Sequence, residues 1–332
     1  MFRHQSLRRL VSRNWDGLSL PPGVTSLQRN ADYMYGPNHK RQPWKSAVEV
    51  PSPTGWTGSG NTCSNNNGIY RWGADTWTSR TVTPQPVYNQ GGNSVGMGSH
   101  KWGGYDGTFR TQHDRYQHNT DAWSTLQAYP RGIFGQGSDG EFVWGGHLFG
   151  IGGWNGSSLQ SAQEHYSIFD NSWTGMQAYP TASTSQSYGL IKAYVFFFYN
   201  NSDTGTNTYT FSIIANSFAG STAAPVSGER VPNRAYQSFG VTWIINTYDT
   251  AARTTVRSFN AQTAAYTTRG SMSTAEGAVA RGQTAGRHLM IVQINVSPYT
   301  STRSYDLGTE AETSRAADTA RKTYPGISGG QV

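Results

Sequence analysis

The sequence predicts an all-β fold assembled from one repeated, four-stranded antiparallel unit. Two observations predict it. Charged residues make up only 14% of the 332 residues, against about a quarter in an average globular domain, while glycine rises to 39 and aromatics to 13%. An aromatic pair spaced by seven residues also recurs with a period of 45 to 50 residues. The first favours short strands and tight turns over helices; the second says that one structural unit is used several times. Eleven Trp, nineteen Tyr and thirteen Phe supply the large side chains of a core.

The repeat fixes the elements in order. The anchor pairs are Tyr70/Trp77, Tyr116/Trp123, Tyr166/Trp173, Phe211/Phe218 and Phe259/Tyr266, with Tyr305/Glu312 completing the series. A proline follows the second anchor by seven in Trp123/Pro130, Trp173/Pro180 and Phe218/Pro225, and Trp44/Pro51 repeats that spacing near the start. Ahead of each first anchor stands an apolar strand that ends in a turn, as in KWGGYDG (101–107) and HLFGIGGWNG (147–156).

In the unit from Arg131 to Tyr179 the first strand is expected over Glu141 to Trp144, followed by a Gly145-Gly146 turn with positive φ. The second is expected over His147 to Gly153, the third over His165 to Phe169 and the fourth over Trp173 to Gln177. A lone sheet of this kind with two apolar faces cannot hide them; radial packing of several such sheets does. The expected architecture is therefore a β-propeller.

An apolar strand closed by Gly-Gly (Gly103-Gly104, Gly152-Gly153), then a Tyr, a short turn and a Trp, resembles the kelch repeat over roughly residues 30 to 325. Phe197-Phe198 and Asn246-Thr247 replace the diglycine in later units. Counting Trp44, Trp77, Trp123, Trp173, Phe218, Tyr266 and Glu312 gives seven blades, with six the alternative because Trp44 and Trp77 stand only 33 apart. Tyr324-Pro325-Gly326-Ile327 echoes Tyr129-Pro130-Arg131-Gly132-Ile133, so Gly326 to Val332 is expected to add a strand to the N-terminal blade and close the ring.

Charge divides the chain differently. Residues 1–45 carry eight basic and two acidic side chains, which accounts for +6 of the net +7. The chain thus reads as a basic arm, residues 1–30, and one propeller domain, residues 31–332. The near-neutral body disfavours a diffuse nucleic-acid surface. Leu7, Leu10 and Val11 share a helical face, with Arg3, Arg8, Arg9 and Arg13 supplying the charge. The arm suits a solvated terminus, docking on an acidic partner, or contact with nucleic acid or lipid; docking is the reading adopted, with no nucleic acid among the partners. No apolar run reaches the length of a membrane helix, and the N-terminus lacks the apolar segment of a signal peptide.

Motifs for catalysis are not found: no P-loop, no Gly-x-Ser-x-Gly and no His-Glu-x-x-His. His113 and His118 fall on opposite faces of a strand, are expected at the surface, and share no metal. The single cysteine, Cys63, allows no internal disulfide, and its repeat offers no histidine for the copper chemistry of some kelch-like oxidases. No cofactor or metal is expected and the protein is read as non-enzymatic.

One periodic feature exceeds the needs of a core. After the second strand of each unit comes an aromatic with a small polar neighbour: Tyr105-Asp106, Trp154-Asn155, Tyr199-Asn200, Tyr248-Asp249 and Tyr299-Thr300. These are turn formers folded over their own blade, or a ring of contacts for a glycan or a protein. Only 5 of 26 basic residues are Lys, and the body is rich in Gly, Ser, Thr, Asn and Tyr. In this the chain resembles a bacteriophage virion protein, assembled in the host cytoplasm. The expectation is a tail, neck or head appendage anchored by its arm to other virion proteins and copies of itself, with a host-surface glycan or protein as ligand. A cytoplasmic kelch-type protein-binding scaffold and a carbohydrate-active enzyme are the alternatives.

Overall fold

A computed structural model describes residues 49–52, 55–56, 63–71, 74–95, 98–134, 143–182, 187–191, 194–198, 207–223, 235–238, 241–245, 254–260, 263, 265–273, 281–285, 288–292 and 302–317. The chain divides into two units, Met1–Arg41 and Gln42–Val332, and every described residue belongs to the second. Arg3, Leu7, Arg8, Arg9, Leu10 and Arg13, the Trp44 anchor and the closing segment 326–332 lie outside the described residues.

The protein is all-β: no described residue lies in an α-helix, and among them no helix is long and apolar enough to cross a membrane. The chain opens with β1 (Glu49–Ser52), β2 (Gly55–Trp56), β3 (Cys63–Ser64), β4 (Asn67–Arg71) and β5 (Thr76–Arg80). Of these, β1, β4 and β5 form sheet 1, and β2 with β3 a small ribbon. Five four-stranded sheets follow, each in chain order and antiparallel throughout.

Sheet 2 holds β6 (Gly91–Val95), β7 (Gly98–Trp102), β8 (His113–Gln117) and β9 (Ala122–Thr125). Sheet 3 holds β10 (Val143–Trp144), β11 (His147–Ile151), β12 (Gln163–Ser167) and β13 (Ser172–Gly175). In sheet 4 are β14 (Ser187–Ile191), β15 (Tyr194–Phe198), β16 (Asn207–Ser212) and β17 (Ser217–Ala223). Sheet 5 comprises β18 (Ala235–Ser238), β19 (Val241–Ile245), β20 (Thr255–Asn260) and β21 (Ala265–Ser271). Sheet 6 comprises β22 (Arg281–Ala285), β23 (His288–Val292), β24 (Thr302–Asp306) and β25 (Ala311–Arg315). First strands of different sheets meet: β6 lies beside β10, β14 beside β18, and β18 beside β22.

The seven-residue spacing has a geometric cause. In every one of the six sheets the two anchors are direct cross-strand partners on the last hairpin, from Tyr70 opposite Trp77 to Tyr305 opposite Glu312. One further pair and a four-residue loop then account for the residues between them, as Ser167 opposite Ser172 and the loop 168–171 do in sheet 3. The loop's last residue takes positive φ: Asp75, Asp121, Asn171, Asn216 and Glu310 lie between 48° and 55°. Asp and Asn are the side-chain-bearing residues that enter this region most readily. The first anchors Tyr70, Tyr116, Tyr166, Phe211, Phe259 and Tyr305 are at most 1% exposed, and each aromatic pair stacks tilted at 4.8 to 5.4 Å.

Strand ends depart from the sequence expectation in sheet 3. The second strand stops at Ile151, because Gly152 and Gly153 turn to φ 62° and 103°. The third begins two residues earlier and ends at Ser167, since register between Tyr166 and Trp173 places Phe169 in the turn, where it is 64% exposed. The fourth runs Ser172–Gly175 instead of reaching Gln177. Gly145 and Gly146 form the expected tight turn at φ 59° and 79°. Gly104 answers to packing as well as to φ, because a Cβ there would come within 2.8 Å of Val87.

A second repeated device joins one sheet to the next. The residue four beyond the second anchor gives its amide N–H to the loop Asp or Asn of the following sheet. Thr81 N donates to Asp121 Oδ1 (2.9 Å), Gln127 N to Asn171 Oδ1 (3.0 Å) and Gln177 N to Asn216 Oδ1 (2.9 Å). Its carbonyl accepts the indole N–H of that sheet's second anchor, Trp123 on Thr81 (3.0 Å) and Trp173 on Gln127 (3.2 Å). The loop residue is itself oriented by the buried anchor: Tyr116 Oη donates to Asp121 and Tyr166 Oη to Asn171, both at 2.6 Å, and Tyr70 Oη donates to Asp75.

Between sheets 4 and 5, Thr208 Oγ1 and Tyr266 Oη are hydrogen-bonded at 2.5 Å. Between sheets 5 and 6, Ser273 N donates to Glu312 Oε2 (2.5 Å) and Arg303 Nη1 to Ser273 Oγ (2.6 Å). After sheet 6 the same pattern reaches back to sheet 1: Ala316 N donates to Asp75 Oδ1 (3.0 Å) and Trp77 Nε1 to Ala316 O (3.0 Å).

Candidate functional site

The loops that leave the second strands of sheets 2 and 3 carry the described part of the expected aromatic ring. Tyr105 follows the Gly103-Gly104 turn and exchanges both backbone hydrogen bonds with Tyr88 at 3.0 Å. Trp154 follows Gly152-Gly153 and does the same with Phe134, at 2.8 and 3.0 Å. In each sheet, therefore, the chain entering the first strand is pinned to the loop leaving the second.

Phe134 links the two loops. Its ring lies 5.9 Å from Tyr105 and 5.6 Å from Phe109, while Tyr105 stacks on Phe109 at 4.9 Å and edge-on to Tyr88 at 5.7 Å. Gly104 N donates to Ile133 O at 2.8 Å in the same place, so backbone as well as rings join sheet 2 to the entry of sheet 3. Tyr88, Tyr105, Phe109, Phe134 and Trp154 are all half-buried. The cluster is a partly exposed aromatic platform that spans two sheets.

The polar neighbours of the two aromatics are engaged within their loops. Asp106 accepts from Arg110 Nε (2.9 and 3.0 Å), from Gln85 Nε2 (2.7 Å) and from the Thr108 amide. Asn155 Oδ1 accepts the amides of Ser157 and Ser158, both at 2.9 Å, which folds its own turn. Tyr199, Asn200, Tyr248, Asp249 and Tyr299 lie outside the described residues.

Cys63 lies against this platform. Its thiol donates to Tyr105 O at 3.6 Å, and burial together with the Asp106 carboxylate pushes its pKa up to about 11. A thiol so raised stays protonated and is a poor nucleophile or metal ligand at neutral pH. Among the described residues no cluster of three metal-ligating side chains forms.

His113 and His118, expected at the surface, are buried at 0% and 8% exposure. The reason is that sheet 2 is covered on both faces. His113 bonds His100 at 3.0 Å and its ring packs on Tyr166 and Trp173 of the next sheet, whereas His118 bonds Ser99 at 2.6 Å. Ser99 and His100 are consecutive on β7, so the two histidines do occupy opposite faces. Burial holds His100 well below the ordinary histidine range and His113 down at about 3, so both are neutral and serve packing.

Sequence reading missed the loop Asp and Asn that join the sheets. Their signal was present: an Asp or Asn stands five residues after the first anchor at 75, 121, 171 and 216. Comparison with protein families finds no family model that matches the chain, and comparison with curated proteins finds no match.

Proposed function

We propose that the chain is a kelch-like β-propeller of six blades and serves as a non-enzymatic structural protein of a bacteriophage particle. Sheets 1 to 6 are the blades. The observation that carries the architecture is the circuit of hydrogen bonds from each sheet to the next, which returns from Ala316 to Asp75 and Trp77. A circuit in which sheet 6 bonds directly to sheet 1 leaves no place for a blade around Trp44, so six is favoured over the seven given by counting anchors. Such closure packs the blades radially and leaves only short, protected strand edges.

In this reading the basic segment 1–30 attaches the propeller to neighbouring proteins of the tail, neck or head, and the Tyr105 and Trp154 loops face outward to contact a host-surface glycan or protein. The half-buried platform supports the second part, because aromatics with one open face supply large contact area at small entropic cost. The concentration of charge in the arm supports the first, since Arg forms bidentate contacts with carboxylates.

Two experiments test the assignment. Particles assembled with the protein lacking residues 1–20 are expected to lose it, and incorporation at normal copy number would overturn the anchor. Trp154→Ala and Tyr105→Ala are expected to weaken binding of particles to host cells at least tenfold at a temperature where circular dichroism shows both variants folded. Unaltered adsorption would overturn the recognition role.

A further inference from the structure

The junctions between sheets differ in chemistry, and the difference is grouped. Among the described residues, the loop acceptors between sheets 2 and 3 and between 3 and 4 are amides, Asn171 and Asn216, the first beside the Arg131–Glu164 pair, and two hydroxyls, Thr208 and Tyr266, join sheets 4 and 5. The acceptors between sheets 5 and 6, 6 and 1, and 1 and 2 are carboxylates: Glu312, Asp75 and Asp121. Among the described residues, sheets 6 and 1 thus have a carboxylate acceptor on both sides, and every other sheet has a neutral acceptor on at least one side.

We infer that acid opens this ring at sheets 6 and 1, an arc whose three junctions depend on ionised carboxylates, while the amide- and hydroxyl-held arc stays closed. The inference rests on the closed-ring reading above. Asn171 and Asn216 show that a neutral side chain can hold the same loop geometry and receive the same amide. What the carboxylates add is charge, which strengthens a hydrogen bond and which protonation removes.

The groups facing Asp75 and Asp121 favour the ionised form. Asp75 meets the Ala316 amide, Tyr70 Oη and the Arg315 guanidinium, which in that order hold its pKa below the ordinary value. Asp121 meets Tyr116 Oη, the Thr81 amide and hydroxyl, and Arg80, with the same effect. Glu312 meets the Ser273 amide and Arg303, whose Nη1 lies 2.7 Å from Oε1. A carboxyl whose pKa is lowered by folding stabilises the fold above its unfolded value, and that contribution is lost as pH falls through the folded one. The seam therefore holds at neutral pH and through mild acid, and gives way below about pH 4, the ordinary aspartate range.

The test compares melting temperature against pH, from 7 to 2, for the full chain and for Asp75→Asn/Asp121→Asn, a change that copies the residues native to the neutral junctions. At pH 7 the variant is expected to melt about 2–4 °C lower, and the gap is expected to vanish at the acid end. Hydrogen exchange at pH 3 is expected to deprotect β4, β5, β24 and β25 before β8, β9, β12 and β13. A constant gap at all pH, or uniform deprotection, would overturn the inference.

Trp77→Phe separates this from failure of the ring itself, because it removes the uncharged bond to Ala316. It is expected to lower the melt at pH 7, where the junction is closed, and to cost less at pH 3, where the junction is already open. No effect at pH 7 would overturn the closed ring, and with it the seam; a Trp77→Phe effect at pH 7 beside a constant Asp gap would overturn only the acid dependence.

Discussion

In sheet 2 the acid two positions before the buried tyrosine is Asp114, and in sheet 3 it is Glu164, yet the two are neutralised by different parts of the chain. Asp114 is fully buried and pairs with Lys101 on the neighbouring strand β7 at 3.0 Å, with Gln112 and Thr125 bonding the same carboxylate. Lys101 is 3% exposed, and its ammonium also donates to Gln85 O at 2.8 Å. Glu164 instead takes its cation from the segment that enters sheet 3: Arg131 Nη2 lies 2.7 Å from Oε2, beside a 2.5 Å bond from Tyr129 Oη. This second pair is partly open, at 20% and 10% side-chain exposure.

The contrast separates what the repeat prescribes from what it leaves free. Anchor pairing fixes strand register and turn, so the residue two before the anchor points the same way in every unit. Its charge must be met, but any cation that reaches the same space can meet it. A partner on a neighbouring strand gives a dry pair and one on a linker gives a wetter pair, and the energetic exposure to mutation differs accordingly.

The largest break should come from Lys101→Met, which strands the fully buried Asp114 carboxylate without its cation. The expected loss is about 3–5 kcal/mol, read as a shift of the urea midpoint, and Lys101→Met/Asp114→Asn should recover most of it. Tyr166→Ala should cost a similar amount, about 3–5 kcal/mol, by leaving a cavity against Trp173 and His113. Tyr166→Phe loses only the bond to Asn171 and should cost about 1 kcal/mol; an equal loss in both variants would mean that the hydrogen bond, not the ring, is the anchor.

Arg131→Ala should cost less than Lys101→Met, about 1–3 kcal/mol at pH 7, because its pair is partly exposed. Burial already raises the Glu164 pKa against the opposing effects of Arg131 and Tyr129. Without Arg131 it rises further, so the ionised form is the costly one in the fold. The variant should then regain stability as pH falls from 7 to 5, opposite in sign to the Asp75 and Asp121 behaviour; urea unfolding at the two pH values checks it.

Much of this frame was legible in the residues, and for a reason. Two aromatics seven apart are what a hairpin with one closing pair and a four-residue loop demands, so Tyr116/Trp123 and Tyr166/Trp173 announce the last hairpin of a unit in the sequence itself. Strand ends were less legible, because Phe169 is apolar and reads as strand although register puts it in the turn. The exposure of His113 was misread because alternation along a strand does not say that both faces of the sheet are covered. Least legible was the work of Asp121 and Asn171. A polar residue in a turn looks local, and nothing in the sequence says that its second lone pair reaches a backbone amide some 40 residues earlier.

The proposed closure of six sheets turns on the bonds from Ala316 to Asp75 and from Trp77 to Ala316. Electron cryo-microscopy of the full chain, in the particle or complex that carries it, measures this directly. The account predicts a ring of six blades with the 302–316 blade against the Tyr70–Trp77 hairpin. A seventh blade between them, or an open arc, would contradict it.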